Sequence, residues 1–433
     1  MRRIALATLA FASVAVWALF VAGGPSAPDA AHAQPAQVSL TASYSIIGGT
    51  GVGVADNLTY MSDGAQQVVP LTGSPTVYMA DNGTEWSAQT TLTGSTTSER
   101  WITTQDVSGT IGGSLTVSFS YYHQYLVNFD YNVTNGSSGS TGPMVNYNQM
   151  GAPASSSAPV LSWVDASSSF SYASQLPGSS SAERWILSSG GSGTITQAAT
   201  FVETYYHEFL VSTSFSIVGG GAPTPPALSS TALGAPAELD MTSFTQSIWL
   251  DAGANYTFTA PLAEPGQSAN ETWVGTVLLQ TQNGHVLSKD NNGTVIGPIS
   301  ITPVYYHQFF VSVKFNLVGG TLDGLVPPAF TYRYFGNQTS VRNDTAVWVD
   351  SGTQYTLPEN ICCTNLTLDR WEIYNATSGT ISSPTTISTA YFHQYFESFT
   401  YSIVGRQPPS PSGQPELTYL QGGDALHLTL LLT

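Results

Sequence analysis

The chain has 433 residues, 42 % of them apolar and 11 % aromatic, with only 10 Lys and Arg against 27 Asp and Glu. A net charge of −17 leaves no basic footprint for nucleic acid or an anionic membrane surface, and so much apolar residue rules out a disordered chain. Only two cysteines occur, so no disulfide framework organises the fold.

The N-terminus reads MRRIALATLAFASVAVWALFVAGG, two arginines and an apolar run, followed by Ala31-His32-Ala33 ahead of Gln34. This is the pattern of a secretory signal peptide over residues 1–33. Retained instead of cleaved, a run of about 19 apolar residues is long enough to anchor the chain, so membrane contact is expected only if the segment stays attached. The remainder has no convincing amphipathic helical stretch. Its short alternating runs, broken by Gly, Pro, Asn and Ser, predict an all-β protein.

A motif then recurs four times: SYYHQYLVNFDYNV from Ser120, TYYHEFLVSTSFSIVGGG from Thr204, VYYHQFFVSVKFNLVGG from Val304 and AYFHQYFESFTYSIVG from Ala390. Its histidines are His123, His207, His307 and His393, at spacings of 84, 100 and 86. A Gly-Thr pair lies fourteen residues before each, at Gly109, Gly193, Gly293 and Gly379. Upstream come SERW, AERW, ETW and DRW, ending at Trp101, Trp185, Trp273 and Trp371. About 20–22 residues earlier lie YMAD, ending at Asp81, and then WVD, WLD and WVD, ending at Asp165, Asp251 and Asp350. Trp to Gly-Thr is eight residues in three copies and twenty in the third, which places an insertion near residues 278–287. Constant spacing around one insertion identifies four copies of one domain.

The phase comes from the mature N-terminus. VSLTASYSIIGG (residues 38–49) matches only the second half of the motif, so each repeat starts with that half and ends with YYHQ. The expected architecture is a rod of tandem antiparallel immunoglobulin-like β-sandwiches over residues 38–124, 125–208, 209–308 and 309–394. Residues 395–433, with a Pro-rich segment, then read as an incomplete fifth repeat cut off after its first strands, in which Leu426, Leu428, Leu430 and Leu432 alternate as in a half-buried strand. Such a unit exposes strand edges and invites self-assembly.

Candidate chemistry is sparse. In an extended strand each histidine shares the apolar face, with Phe119, Tyr121, Tyr125 and Val127 around His123, which predicts a core residue bonded to backbone or a Tyr hydroxyl. No His or Cys stands at ligand spacing, so no metal or other cofactor is expected. Arg100, Arg184 and Arg370 follow an acidic residue beside the Trp, and their expected partners are the strand-end Asp residues through bidentate pairs. The third copy has Thr272 in the Arg place. Asp350-Ser351-Gly352-Thr353 resembles the loop of an aspartic protease, but the equivalent positions read DNG, DAS and DAG, and that chemistry needs two such loops facing each other. The Asp is read as a turn former bonding its own backbone, and no catalytic residue is assigned. Eleven Asn-x-Ser/Thr sequons, at Asn57, Asn82, Asn132, Asn135, Asn255, Asn270, Asn292, Asn337, Asn343, Asn365 and Asn375, suit a glycosylated exterior. Cys362 and Cys363 are open to an intermolecular bridge or to remaining free thiols.

The combination WVD…ERW…SGT…YYHQ…F-x-I-V-G-G resembles a repeat of secreted archaeal cell-surface proteins built of tandem immunoglobulin-like sandwiches, over residues 38 to about 405. The resemblance implies an extracellular or cell-surface location and an architecture, with no chemistry to carry over to single residues. The expectation is therefore a non-enzymatic structural or adhesion protein of a surface layer, appendage or matrix. Its partners would be other surface proteins or glycans. Glycan binding by exposed Trp and Tyr near the Glu-Arg pairs is the alternative, and a secreted acid hydrolase a more remote one.

Overall fold

A computed structural model describes residues 34–49, 56–281, 290–322, 324–361, 368–405 and 414–430. The signal segment, Cys362, Cys363 and Asn365 lie outside them, as do residues 282–287 of the insertion and Leu432. Extended strands make up all the regular structure of the described residues, as Thr, Val, Ile and alternating aromatics favour. The chain parts into two compact units between His123 and Gln124.

The first unit is a sandwich of two four-stranded sheets. Its strands are β1 (Gln37–Ile47), β2 (Asn57–Ser62), β3 (Ala65–Pro70), β4 (Thr76–Asp81), β5 (Glu85–Ser87), β6 (Glu99–Ile102), β7 (Ser108–Thr110) and β8 (Leu115–Thr134, to His123 in this unit). One sheet runs β4–β1–β8–β6 and the other β3–β2–β5–β7. β1–β4, β2–β3, β2–β5 and β5–β7 pair antiparallel, whereas β1 lies parallel to β8, from Leu40 opposite Leu115 to Ile47 opposite Tyr122. Leu40, Leu58, Trp86, Trp101, Phe119 and Tyr121 fill the space between the sheets.

Three further sandwiches of the same topology occupy the second unit, so the fold class is tandem immunoglobulin-like β-sandwiches. Their second sheets each repeat the order seen in the first unit. Cores form in succession: Val127 to Ile195 with a neighbouring group at Leu176, Trp185 and Tyr205, then Val211 to Tyr305, then Phe309 to Tyr391. No linker separates them. The strand Ile299–Val318 gives Tyr305 to one core and Val311 and Val313 to the next. Alternation keeps all three on one face of the strand. The Gly of each Gly-Thr pair sits opposite an aromatic ring, Gly109 by Trp86, Gly193 by Phe170, Gly293 by Tyr256 and Gly379 by Tyr355. A Cβ there would come within 3.1 Å of the ring, so the ring covers the backbone that glycine leaves bare.

In the third repeat the insertion lengthens a strand, Glu271–Thr281, which pairs with Ile299–Val318 as far as Thr281 opposite Ile299. At the C-terminal end the structure departs from expectation. The segment that should open the fifth repeat stops being a strand at Tyr395, and residues 396–404 have no regular structure. In every complete repeat this segment is held between a parallel strand and an antiparallel one, as Ile299–Val318 is by Thr385–Tyr395 and Thr345–Asp350. Neither partner follows here among the described residues. A hairpin does form, Glu416–Gln421 with Asp424–Thr429, and it leaves Leu426 and Leu428 38 % and 46 % exposed.

Candidate functional site: the repeated strand crossing

Register brings Trp and His together. Antiparallel pairing sets Trp185 opposite His207, Trp273 opposite His307 and Trp371 opposite His393. Each indole stacks on its imidazole at 4.3–4.5 Å, nearly parallel, and Trp101 stacks on His123 in the same way. The acidic residue two places before the Trp reaches Nε2: Glu99 at 2.7 Å, Glu183 at 2.8 Å, Glu271 at 2.7 Å and Asp369 at 2.6 Å. Nδ1 faces the carbonyl of Gly48, Asn135 or Gly219 at 3.0–3.2 Å in the first three copies. A carbonyl only accepts, so Nδ1 carries hydrogen there. Nε2 then meets a carboxylate, and that bond needs one further proton between the two groups.

His123, His207 and His307 are thus bonded to backbone carbonyls and His393 Nδ1 lies 3.3 Å from the Tyr395 hydroxyl, but the carboxylate partner was not foreseen. The signal for it lay in the sequence: an acidic residue stands two places before each of these four Trp residues, and i and i+2 share a strand face.

A second cluster lies on the opposite face of the same strands. Asp81 accepts the backbone N–H groups of Asp63 and Gly64 at 2.9 and 2.8 Å, the tip of the β2–β3 hairpin, and the amide of Gln37. Asp165 accepts Met150 and Gly151 at 2.9 and 2.7 Å and Gln124 Nε2 at 2.8 Å. Asp350 accepts Phe335 and Gly336 at 3.0 and 2.6 Å and Gln308 Nε2 at 2.8 Å. Each turn pairs a non-glycine residue and a glycine at φ near +50° and +73°, a tight hairpin whose two N–H groups point at one acceptor. The Asp side chain thus clasps a turn 14–18 residues upstream instead of its own backbone. The Gln of YYHQ completes the clasp and faces the repeat that follows.

The third repeat varies this scheme because its residue is Glu208. Glu208 is fully buried, takes the Leu233 N–H at 3.1 Å, and leaves Asp251 with Gly234 N–H on Oδ2 and no partner on Oδ1. Arg184 offsets the extra charge, reaching Glu208 through Nη2 at 2.7 Å and Nε at 2.8 Å, and its guanidinium lies 4.3 Å over the Trp249 ring. The predicted Arg–Asp pairing is thereby corrected for Arg184 and Arg370. The residue across the strand from each Arg is Glu208 or Gln394, while the Asp is turned toward amides. Arg370 Nε donates to Gln394 Oε1 at 3.0 Å, and its Nη2 forms an ion pair with Glu372 at 2.8 Å.

These arrangements leave little room for chemistry on a ligand. Trp101, Trp185, Trp273 and Trp371 are at most 5 % exposed and offer no face to a sugar, which removes the expected basis for glycan binding at the Glu-Arg pairs. Asp350 is 3 % exposed, with three amide donors on its carboxylate. Among the described residues no group of three or more His, Cys, Asp or Glu is placed to hold a metal ion. Burial also raises the Asp56 carboxyl above its ordinary range, although Tyr121 and the Gln89 N–H bond to it. Nine sequon residues, Asn82, Asn132, Asn135, Asn255, Asn270, Asn292, Asn337, Asn343 and Asn375, are exposed, and Asn57 is half-buried.

No family model matches the chain, and no curated protein matches it. Among solved structures, similarity extends to a pilus adhesin, SpaC of Lactobacillus rhamnosus GG, at 11 % identity and a TM-score of 0.24, covering 63 % of this chain and 44 % of that one. The Bacillus anthracis TIE protein is similar at 9 % identity and a TM-score of 0.26, over 83 % of this chain and 68 % of that one. Two B repeat units of the Staphylococcus aureus collagen binding protein are similar at 11 % identity and a TM-score of 0.16, over 84 % and 100 %. The chain thus spans less than half of the first of these proteins.

Proposed function

We propose that this chain is a non-enzymatic, secreted protein of the cell surface, structural or adhesive in role, as a component of a surface layer, appendage or matrix. The observation that carries this reading is where the recurrent polar residues go. His, Trp, the strand-end Asp and the acidic residue before Trp recur in all four repeats and bond to one another or to backbone inside the protein. A reactive constellation presents its groups to a ligand in a cleft; these groups are turned inward and hold strands in register. Exposed sequons on every repeat suit a glycosylated outer surface, with other surface proteins or glycans as partners. The resemblance of the repeat to archaeal surface proteins points the same way.

The test compares purified residues 34–433 with a version ending at Ile403, by electron microscopy and by binding to cells of the source organism. Filaments, lattices or cell binding are expected from the longer protein and weaken when residues 404–433 are removed. A protein that stays monomeric and binds no surface component refutes the role.

A further inference from the structure

At four places the chain seats a strand whose last residue is Asp in one kind of site. Those strands, ending at Asp81, Asp165, Asp251 and Asp350, each form an antiparallel ladder in which the Asp stands opposite Gln37, Gln124, Glu208 or Gln308 of the neighbouring strand. In three of them the residue two places before the Asp is Trp: Trp163 opposite Leu126, Trp249 opposite Leu210 and Trp348 opposite Phe310. In three sites the Asp is received by two turn amides and the Gln side chain, while Asp251 takes one turn amide and the other goes to Glu208. The Trp348 and Phe310 rings meet at 5.3 Å.

The parts of this seat recur once more, around Gln394. Backbone there follows the same path: Phe396 N–H donates to Leu368 C=O at 3.0 Å, as Leu210 does to Ala182 at 2.9 Å and Phe310 to Asn270 at 2.8 Å. The terminal hairpin stands where the receiving hairpins stand. Its turn residues Gly422 and Gly423 have φ of 62° and 91°, the left-handed pair seen in the other turns. Gly423 lies against the Phe392 ring as Gly234 lies against Tyr206 and Gly336 against Tyr306. Arg370 holds Gln394 as Arg184 holds Glu208.

Among the described residues no carboxylate bonds the Gly422 or Gly423 N–H, and Gln394 Nε2 donates to Tyr374 Oη at 2.8 Å. Phe396, which matches Phe310, is 70 % exposed. Arg370, Gln394, Phe396, Leu417, Tyr419 and Leu428 line a groove of about 810 Å³.

We propose that this groove is a strand-docking seat for an extended segment of a partner polypeptide carrying Trp two residues before Asp. The segment adds antiparallel to residues 394–400, with its Asp on Gln394 and the Gly422–Gly423 turn and its Trp on Phe396. This is β-augmentation with pockets for alternate side chains. The seat rests on the reading of the chain as an assembling surface protein and names the chemistry of what it assembles with.

The probe is a fluorescein-labelled peptide TAVWVDSGT, the sequence of residues 345–353, titrated into residues 34–433 by fluorescence anisotropy. Saturable binding is expected. It should weaken about tenfold or more when the peptide carries Ala for Trp or Asn for Asp, and likewise in Phe396→Ala and Gln394→Ala proteins, which remove groups outside the packed core. No binding, or equal binding by all variants, overturns the seat. If the protein self-associates and the unlabelled peptide dissolves the assemblies in sedimentation velocity, the partner is a second copy of the chain. Absent peptide binding with assembly intact refutes the seat and leaves the surface role standing. Binding by a protein that associates with nothing does the reverse.

Discussion

His307 shows how much one side chain can fasten. Its ring stacks on Trp273, Nδ1 meets the Gly219 carbonyl and Nε2 meets Glu271, so it joins three segments far apart in sequence. Because Nδ1 already donates, the Nε2 bond needs a donor between ring and acid. Gln at position 271 supplies one by turning its amide N–H to a neutral imidazole. Glu271→Gln should therefore leave the urea midpoint nearly unchanged, whereas Glu271→Ala should lower stability by about 1–3 kcal/mol through the unsatisfied nitrogen. Equal loss in both variants would show that the carboxylate charge, and not the hydrogen bond, matters. The histidine's place in the core was legible from strand alternation. Its stacking on Trp was not, because the two are separated by 34 residues in the third repeat and meet only through strand register.

At the scale of elements, the shared strands and the Asp clasps act together. Gln124 and Gln308 each add an N–H to the clasp, while Glu208 brings a second buried carboxylate beside Asp251 and relies on Arg184. Arg184→Met should destabilise the second unit by about 3–5 kcal/mol, since it leaves a buried charge uncompensated. Adding Glu208→Gln should restore most of that loss, because the amide can reach Asp251 Oδ1 as Gln308 reaches Asp350. Chemical denaturation of the two variants reads the difference; a double variant no better than Arg184→Met alone would show that the Glu208 charge is not the cause. Repetition and the all-β class were open to sequence reasoning because they depend on local period and spacing. The Arg partners were misread because a partner across a ladder depends on register, which no local pattern states. The fifth repeat's first strand was overpredicted for a related reason: its pattern is right, but a strand also needs neighbours to bond with.

Across the molecule, the first Tyr of each motif occupies one position in every sandwich. Tyr121, Tyr205, Tyr305 and Tyr391 are fully buried, each with its hydroxyl bonded to a backbone carbonyl. Burial raises all four above the ordinary phenol range, and Tyr391 is pushed up to about 12. The folded state thus holds these protons more tightly than the unfolded chain. Their contribution to stability is complete below about pH 10 and is lost as pH rises through the folded values. Tyrosinate absorbance should accordingly rise in two stages, exposed residues near pH 10 and the buried set together with loss of β circular dichroism. A single early transition for all 22 tyrosines would contradict it.

The strand Ile299–Val318 has a mechanical consequence. Along its length it is bonded to Glu271–Thr281, Thr345–Asp350 and Thr385–Tyr395. Ladder bonds stand across a strand, so tension drawn along it loads many of them in shear at once instead of peeling them singly. The passage from one sandwich to the next, where most tandem proteins place a flexible joint, should then yield no sooner than the interior of a sheet.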